Sequence, residues 1–131
     1  GSLLAARLLS ADPTQIVVEV DSDYEPGSEL RSVVVRTTQG DDVTVDMETL
    51  TVKPRGAALA RREVTLPFSF GVTPRDGSDG RLRLEVSGYT DSLTTAAVEA
   101  RAITRFVDGK SLLLRFYLSS RCEGTGFRVV F

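Results

Sequence analysis

The stretch VEARAITRFVDGKSLLLRFYL, residues 98–118, decides the fold. On each side of Gly109, apolar residues alternate with polar ones, which is the pattern of half-buried β-strands. A three-residue loop with Gly109 in the left-handed conformation would place small Ala100 opposite large Phe116. The pattern therefore predicts a hairpin whose inner row is buried between two layers.

The opposite face of the predicted hairpin carries an apolar stripe made of Ile103, Leu113 and Tyr117. Folded domains rarely leave contiguous apolar patches open to water. We expect residues 3–9 or a second copy of the chain to cover the stripe. The alternative is that the stripe is itself an interaction surface.

The remainder of the chain has the same character. Of 131 residues, 31 are β-branched (16 Val, 13 Thr and 2 Ile), which favours strands over helices. Within one of the apolar runs Pro67 cannot donate to a strand ladder, so that run is predicted to lie at a sheet edge. The further runs are residues 15–21, 30–38, 43–47, 49–52, 66–72, 81–89 and 127–131.

Short strands separated by polar turns are typical of stacked antiparallel sheets. The predicted fold is all-β, an immunoglobulin-like antiparallel β-sandwich of about seven to nine strands. Residues 14–131 are expected to form this single domain. The N-terminal segment 1–13 is expected to contain a tag remnant, followed by either a short helix or the remaining part of an export segment.

Composition excludes several function classes. The formal charge is −2, which gives no overall attraction to nucleic acid. Histidine is absent, and with it Ser-His or Cys-His nucleophile pairs and His-ligated metals. Cys122 is the single cysteine, so it is either a small core residue or a free thiol. We expect a protein that is not an enzyme and has no membrane span.

Acidic residues concentrate where the first strand ends, namely Glu19, Asp21, Asp23 and Glu25, with Glu29 beyond. Asp21, Asp23 and Glu25 could supply the oxygen ligands that calcium prefers. The alternative is that these residues simply build a turn. Calcium at Asp21, Asp23 and Glu25 is therefore the leading cofactor hypothesis, and the loop Asp76-Gly77-Ser78-Asp79-Gly80 is a second candidate.

Several motifs together resemble a known group. They include Asp12-Pro13-Thr14-Gln15 before the first strand, Leu66-Pro67-Phe68-Ser69-Phe70, Phe106-Val107-Asp108-Gly109, and Arg121-Cys122. In this order they resemble uncharacterised exported proteins and predicted lipoproteins of myxobacteria and related deltaproteobacteria. The resemblance implies an immunoglobulin-like domain in the periplasm, at the outer-membrane surface or outside the cell. No cysteine stands near residues 9–12, where a lipid anchor would be attached.

A full strand framework without a catalytic constellation favours a binding role. We expect a non-catalytic exported module for binding or display at the bacterial cell envelope, with a protein or glycan ligand and no nucleic acid partner. The alternative is a calcium-dependent carbohydrate-binding or adhesive module. The expected ligand surface is the stripe or the loops at one end of the sandwich.

Overall fold

The computed structural model describes residues 13–40, 45–76, 79–91 and 95–122. For Cys122 it describes the backbone but not the side chain. The described part of the chain is all-β, with eight strands and one short 3-10 turn, Ser120–Cys122. The strands are β1 (Gln15–Ser22), β2 (Ser32–Gln39), β3 (Asp46–Val52), β4 (Glu63–Val64), β5 (Phe68–Val72), β6 (Arg81–Tyr89), β7 (Val98–Arg105) and β8 (Ser111–Leu118). The predicted β-sandwich is confirmed.

Two sheets pack against each other. The small sheet has the order β5-β1-β8, and the large sheet has the order β4-β3-β2-β6-β7. β5 lies at an edge, as Pro67 predicts. β1 and β8 pair in parallel, as do β3 and β4, so both sheets are mixed rather than purely antiparallel. In immunoglobulin constant domains the first two strands are neighbours in one sheet, whereas here β1 and β2 lie in different sheets.

The core lies between the sheets and follows the period-two pattern of the strands. Alternate residues of β1, β6, β7 and β8 are buried. Phe116 is 1% exposed and Leu114 2%, so both are buried between the layers, as the sequence predicts. The inner rows contain Ile16, Val18 and Val20 in β1; Leu82, Leu84 and Val86 in β6; Val98, Ala100 and Ala102 in β7; and Leu114, Phe116 and Leu118 in β8.

The predicted pairing of the last two strands is wrong. β7 pairs with β6 in the large sheet, and β8 pairs with β1 in the small sheet. Ala100 and Phe116 therefore belong to opposite layers, instead of lying side by side in one hairpin. Their burial is unaffected, because inner residues of the two layers face the same core.

The turn between β7 and β8 explains the change of sheet. Gly109 has a φ of 72°, the predicted left-handed conformation, and Lys110 N–H donates to the Val107 carbonyl over 3.0 Å. Before the turn, Phe106 N–H still donates to Gly80 at the start of the large sheet's β6. Directly after it, the Lys110 carbonyl accepts from Gln15 N–H of β1. The chain thus leaves one layer and enters the other within four residues.

Four parts of the sequence prediction concern residues that the structure does not describe. They are residues 3–9, the run 127–131, Val43 and Thr44 at the start of the predicted short strand 43–47, and Gly77 and Ser78 in the second candidate calcium loop. The runs 43–47 and 49–52 correspond to a single strand, β3. Among the residues described, no helix has the length and apolar character needed to cross a membrane.

Candidate functional site

Parallel pairing of β1 and β8 builds a mixed apolar and charged surface on the outside of the small sheet. Side chains directly opposite one another on a sheet face are close neighbours. We call the outward residues of these two strands the β1/β8 face. Its opposed pairs are Val17 with Leu113, Glu19 with Arg115, and Asp21 with Tyr117.

An ion pair lies in the middle of this face. Arg115 Nε lies 3.0 Å from Glu19 Oε1, and the two side chains are 58% and 38% exposed. Exposed pairs of this kind contribute at most about 1 kcal/mol to folding. The pair therefore adds little to the stability of the sheet, and it leaves two charged groups of opposite sign accessible on this face. Ser69 of β5 stands opposite Glu19 on the other side, and it is too small to cover the pair.

A groove of about 660 Å³ extends from this ion pair to the end of the small sheet. Its walls combine an aromatic ring with charged groups of both signs. The lining residues are Glu19, Asp21, Asp23, Arg115, Phe116, Tyr117, Ser119 and Arg121. Concave sites with an apolar surface and a few fixed polar groups are where proteins bind ligands.

Buried hydrogen bonds fix the end of the groove. Ser22 is 6% exposed, and its hydroxyl donates to the Leu118 carbonyl over 2.6 Å. The same oxygen accepts from Tyr24 N–H at 3.0 Å. These contacts join the ends of β1 and β8 next to the groove residues Asp21, Asp23 and Ser119.

Asp23 holds the segment that follows β8. Its carboxylate accepts from Ser120 N–H at 2.7 Å and from the Ser120 hydroxyl at 2.6 Å. Burial alone would raise the pKa of Asp23. The hydrogen bonds from Ser120 and from the backbone of Asp23, with the positive charge of Arg121, outweigh burial and lower the pKa of Asp23 below its ordinary value.

Replacing Asp23 with asparagine should therefore reduce the loss of folding stability that occurs when the pH is lowered. A carboxyl whose pKa is lowered in the folded state stabilises that state above its unfolded pKa, about 3.9 for aspartate. This stabilisation is lost as the pH falls through the lowered pKa of Asp23. We expect the difference in melting temperature between wild type and Asp23→Asn to be largest at pH 7 and to shrink below about pH 4. A difference that stays constant down to pH 2 would contradict the role given to Asp23.

The structure does not bring Asp21, Asp23 and Glu25, the predicted calcium ligands, together into one group. Asp21 accepts from the N–H of Ser22, Asp23 binds Ser120, and Glu25 lies 3.5 Å from Arg55. Each carboxylate thus faces a different partner. Within residues 13–40, 45–76, 79–91 and 95–122 no group of three acidic or cysteine side chains is placed to hold a metal ion. The structure instead assigns Asp21 and Asp23 to the groove and leaves Glu25 outside it.

The predicted apolar stripe is divided between the two layers. Ile103 is 68% exposed on β7, in the large sheet, whereas Leu113 and Tyr117 are 50% and 39% exposed on β8. The prediction of one continuous surface is wrong because it required β7 and β8 to be neighbours. Leu113 and Tyr117 remain together on the β1/β8 face.

Sequence reasoning missed Arg115 and Arg121 as members of the site, and it identified Glu19 only as part of the acidic cluster at the end of the first strand. All three are ordinary outward or loop residues when each strand is considered alone. They come together only because β1 and β8 run in the same direction, so that both strands end beside the groove. No local motif signals a parallel pairing between the first and last strands. The side chain of Cys122 lies outside the described part of the structure.

Comparisons add no relative. No family model matches the chain, and no curated protein or solved structure is similar to it at a significant level. The geometry of the β1/β8 face and its groove is therefore the basis for a functional proposal.

Proposed function

We propose that the protein is a non-catalytic exported β-sandwich module that binds a protein or glycan ligand at the bacterial envelope through the β1/β8 face. The observation that carries this proposal is the juxtaposition of exposed Leu113 and Tyr117 with the Glu19–Arg115 ion pair beside a groove of about 660 Å³. The envelope location and an immunoglobulin-like relation rest on the sequence resemblance. The two-layer packing supports that relation, and the strand order does not.

The chemistry of the groove suits recognition of a neutral or weakly charged ligand. A half-exposed tyrosine offers a flat apolar surface and a hydroxyl group. The carboxylate of Asp21 accepts hydrogen bonds, and the guanidinium of Arg115 donates them. Because acidic and basic groups alternate, ligand contacts would be set by hydrogen-bond geometry more than by net charge.

Binding to purified envelope material tests the proposal. Fluorescently labelled protein is titrated against outer-membrane vesicles and peptidoglycan from a deltaproteobacterium. The double variant Leu113→Ser/Tyr117→Ala removes the two exposed apolar side chains of the face, and we expect affinity to fall at least about tenfold, or ~1.4 kcal/mol. Ile103→Ser is the control, because Ile103 is an exposed apolar residue, more exposed than Leu113 or Tyr117, but lies on the other sheet.

The two ligand classes separate in the same assay. Protease treatment of the envelope material should abolish binding to a protein, and periodate oxidation should abolish binding to a glycan. Equal losses in the double variant and in Ile103→Ser would count against the β1/β8 face. Absence of binding to every fraction would count against an envelope ligand.

A further inference from the structure

The two long sides of the sandwich differ. On the side of β7 and β8, inner residues such as Val98, Ala100 and Leu118 are at most 3% exposed. On the opposite side, the inner residues of β5 are only partly buried. These residues are Phe68, Phe70 and Val72.

A mismatch in strand number explains this opening. Within the described part of the chain the small sheet has three strands and the large sheet has five, so the large sheet extends beyond β5. Among the described residues β5 pairs with β1 alone, and its other edge has no strand beside it. Alternate N–H and C=O groups of an edge strand point away from its sheet and can pair with another chain.

The part of the large sheet that extends beyond β5, here called the overhang, includes β3. At inward positions of β3, where a core would have apolar side chains, two side chains are acidic. Glu48 is opposite Val35, and Leu50 is opposite Val33, so Glu48 shares the inward face of β3 with buried Leu50. Glu48 is nevertheless exposed, as is Asp46 two residues earlier. No strand of the small sheet lies across from them within the described structure.

Between β5 and this overhang lies a cleft of about 600 Å³. Its apolar wall includes Val35, Phe70 and Val72. The Gln39 side chain keeps the end of β5 in place, since it donates to the Thr73 carbonyl at 3.0 Å and accepts from Arg75 N–H at 2.7 Å. These two hydrogen bonds join the layers at one end of the cleft.

The charges of the rim leave one carboxylate without a counter-ion. Arg75 lies 3.0 Å from Asp46 and neutralises it. Arg62 also lines the cleft, but its guanidinium forms no ion pair with Glu48. The carboxylate of Glu48 has no ion-pair or hydrogen-bond partner among the residues described.

We infer that the free edge of β5 binds a short extended peptide of a partner protein, with a basic side chain of that peptide directed at Glu48. A strand added beside β5 would lie about 4.8 Å from it and about 10 Å from β3, the spacings of paired strands and stacked sheets. Main-chain hydrogen bonds would hold the peptide, as in other cases of strand addition. A lysine fits the inward position because its apolar stem can contact Phe70 and Val72 while its ammonium group reaches the carboxylate.

Synthetic peptides test this inference. The probes are two acetylated and amidated heptapeptides in which threonine alternates with three inward residues, valine-lysine-valine in one and valine-glutamate-valine in the other. We expect the lysine peptide to bind the wild-type protein at least fivefold more tightly in fluorescence anisotropy. It should also shift the amide resonances of Phe70, Gly71 and Val72 in a heteronuclear NMR spectrum.

Reversing the charge of Glu48 tests its role in the preference between the two peptides. Glu48→Lys should reverse the preference between the two peptides, and the matched control Glu99→Lys, on the outer face of β7, should leave it unchanged. The inference is overturned if neither peptide perturbs β5, if the glutamate peptide binds wild type better, or if both variants change the preference equally. Leu113→Ser/Tyr117→Ala should bind the lysine peptide normally, so this test can fail or succeed separately from the proposed envelope binding.

Discussion

Replacing Phe116 with alanine is expected to lower the free energy of unfolding by about 3–5 kcal/mol. Phe116 is 1% exposed, and it is the largest fully buried side chain of the described core. Truncation removes its transfer free energy and leaves a cavity that the neighbouring strands of both layers cannot fill. A domain of this size is usually stable by only about 5–15 kcal/mol, so the variant should lose a large part of its stability.

Urea denaturation followed by circular dichroism measures this effect. The denaturation midpoint should fall with little change in slope. Tyr117→Ala is the control, because the next residue of β8 points outward and is 39% exposed. We expect it to cost much less than Phe116→Ala, and similar losses for both would show that β8 is not oriented as described.

The second large effect is expected at Gly88, a buried residue of β6. A Cβ atom there would lie 2.9 Å from Leu30 Cδ1, 3.1 Å from Val98 Cγ1 and 3.2 Å from Leu118 Cδ1. Val98 and Leu118 belong to opposite layers, and all three methyl groups lie in the packed core, so relieving the clash requires buried side chains to move. Overpacking of this kind costs about 1–3 kcal/mol, which exceeds the gain of about 0.4–1 kcal/mol from restricting the unfolded chain.

Gly71→Ala is the matched control for Gly88→Ala. Gly71 also lies in a strand, but its added Cβ would meet only Gln15 Oε1, at 3.3 Å. That atom is the end of a flexible side chain on the outer face and can move away. We expect a change within about 0.5 kcal/mol for Gly71→Ala, measured by the same urea titration. Equal destabilisation by the two substitutions would contradict the close approach of the layers at Gly88.

The strands and their buried faces could be predicted because alternation is a local property. The pattern of residues 98–118 correctly gives two strands, a left-handed Gly109 and a buried Phe116. It does not distinguish a hairpin from a turn that joins two layers. In both arrangements Ala100 and Phe116 face the core, and only the hydrogen-bond partners differ.

The candidate site depends on which strands are hydrogen-bonded to each other. This explains why only parts of the site could be predicted. Asp21, Asp23, Leu113 and Tyr117 are conspicuous in the sequence, as a charge cluster and as an apolar stripe. Their assembly with Arg115 into one surface requires the parallel pairing of β1 with β8. The two strands are separated by most of the chain, so no local signal carries this information.

The parallel pairing is therefore the central claim, since it creates the β1/β8 face and separates Ile103 from Leu113. It is tested most directly by interstrand nuclear Overhauser effects between backbone protons of a uniformly labelled sample. We expect contacts between Val18 and Leu114 and between Val20 and Phe116, in the parallel register. Contacts between the backbones of Ala100 and Phe116 in an antiparallel pattern, with none between β1 and β8, would contradict the fold and the site together.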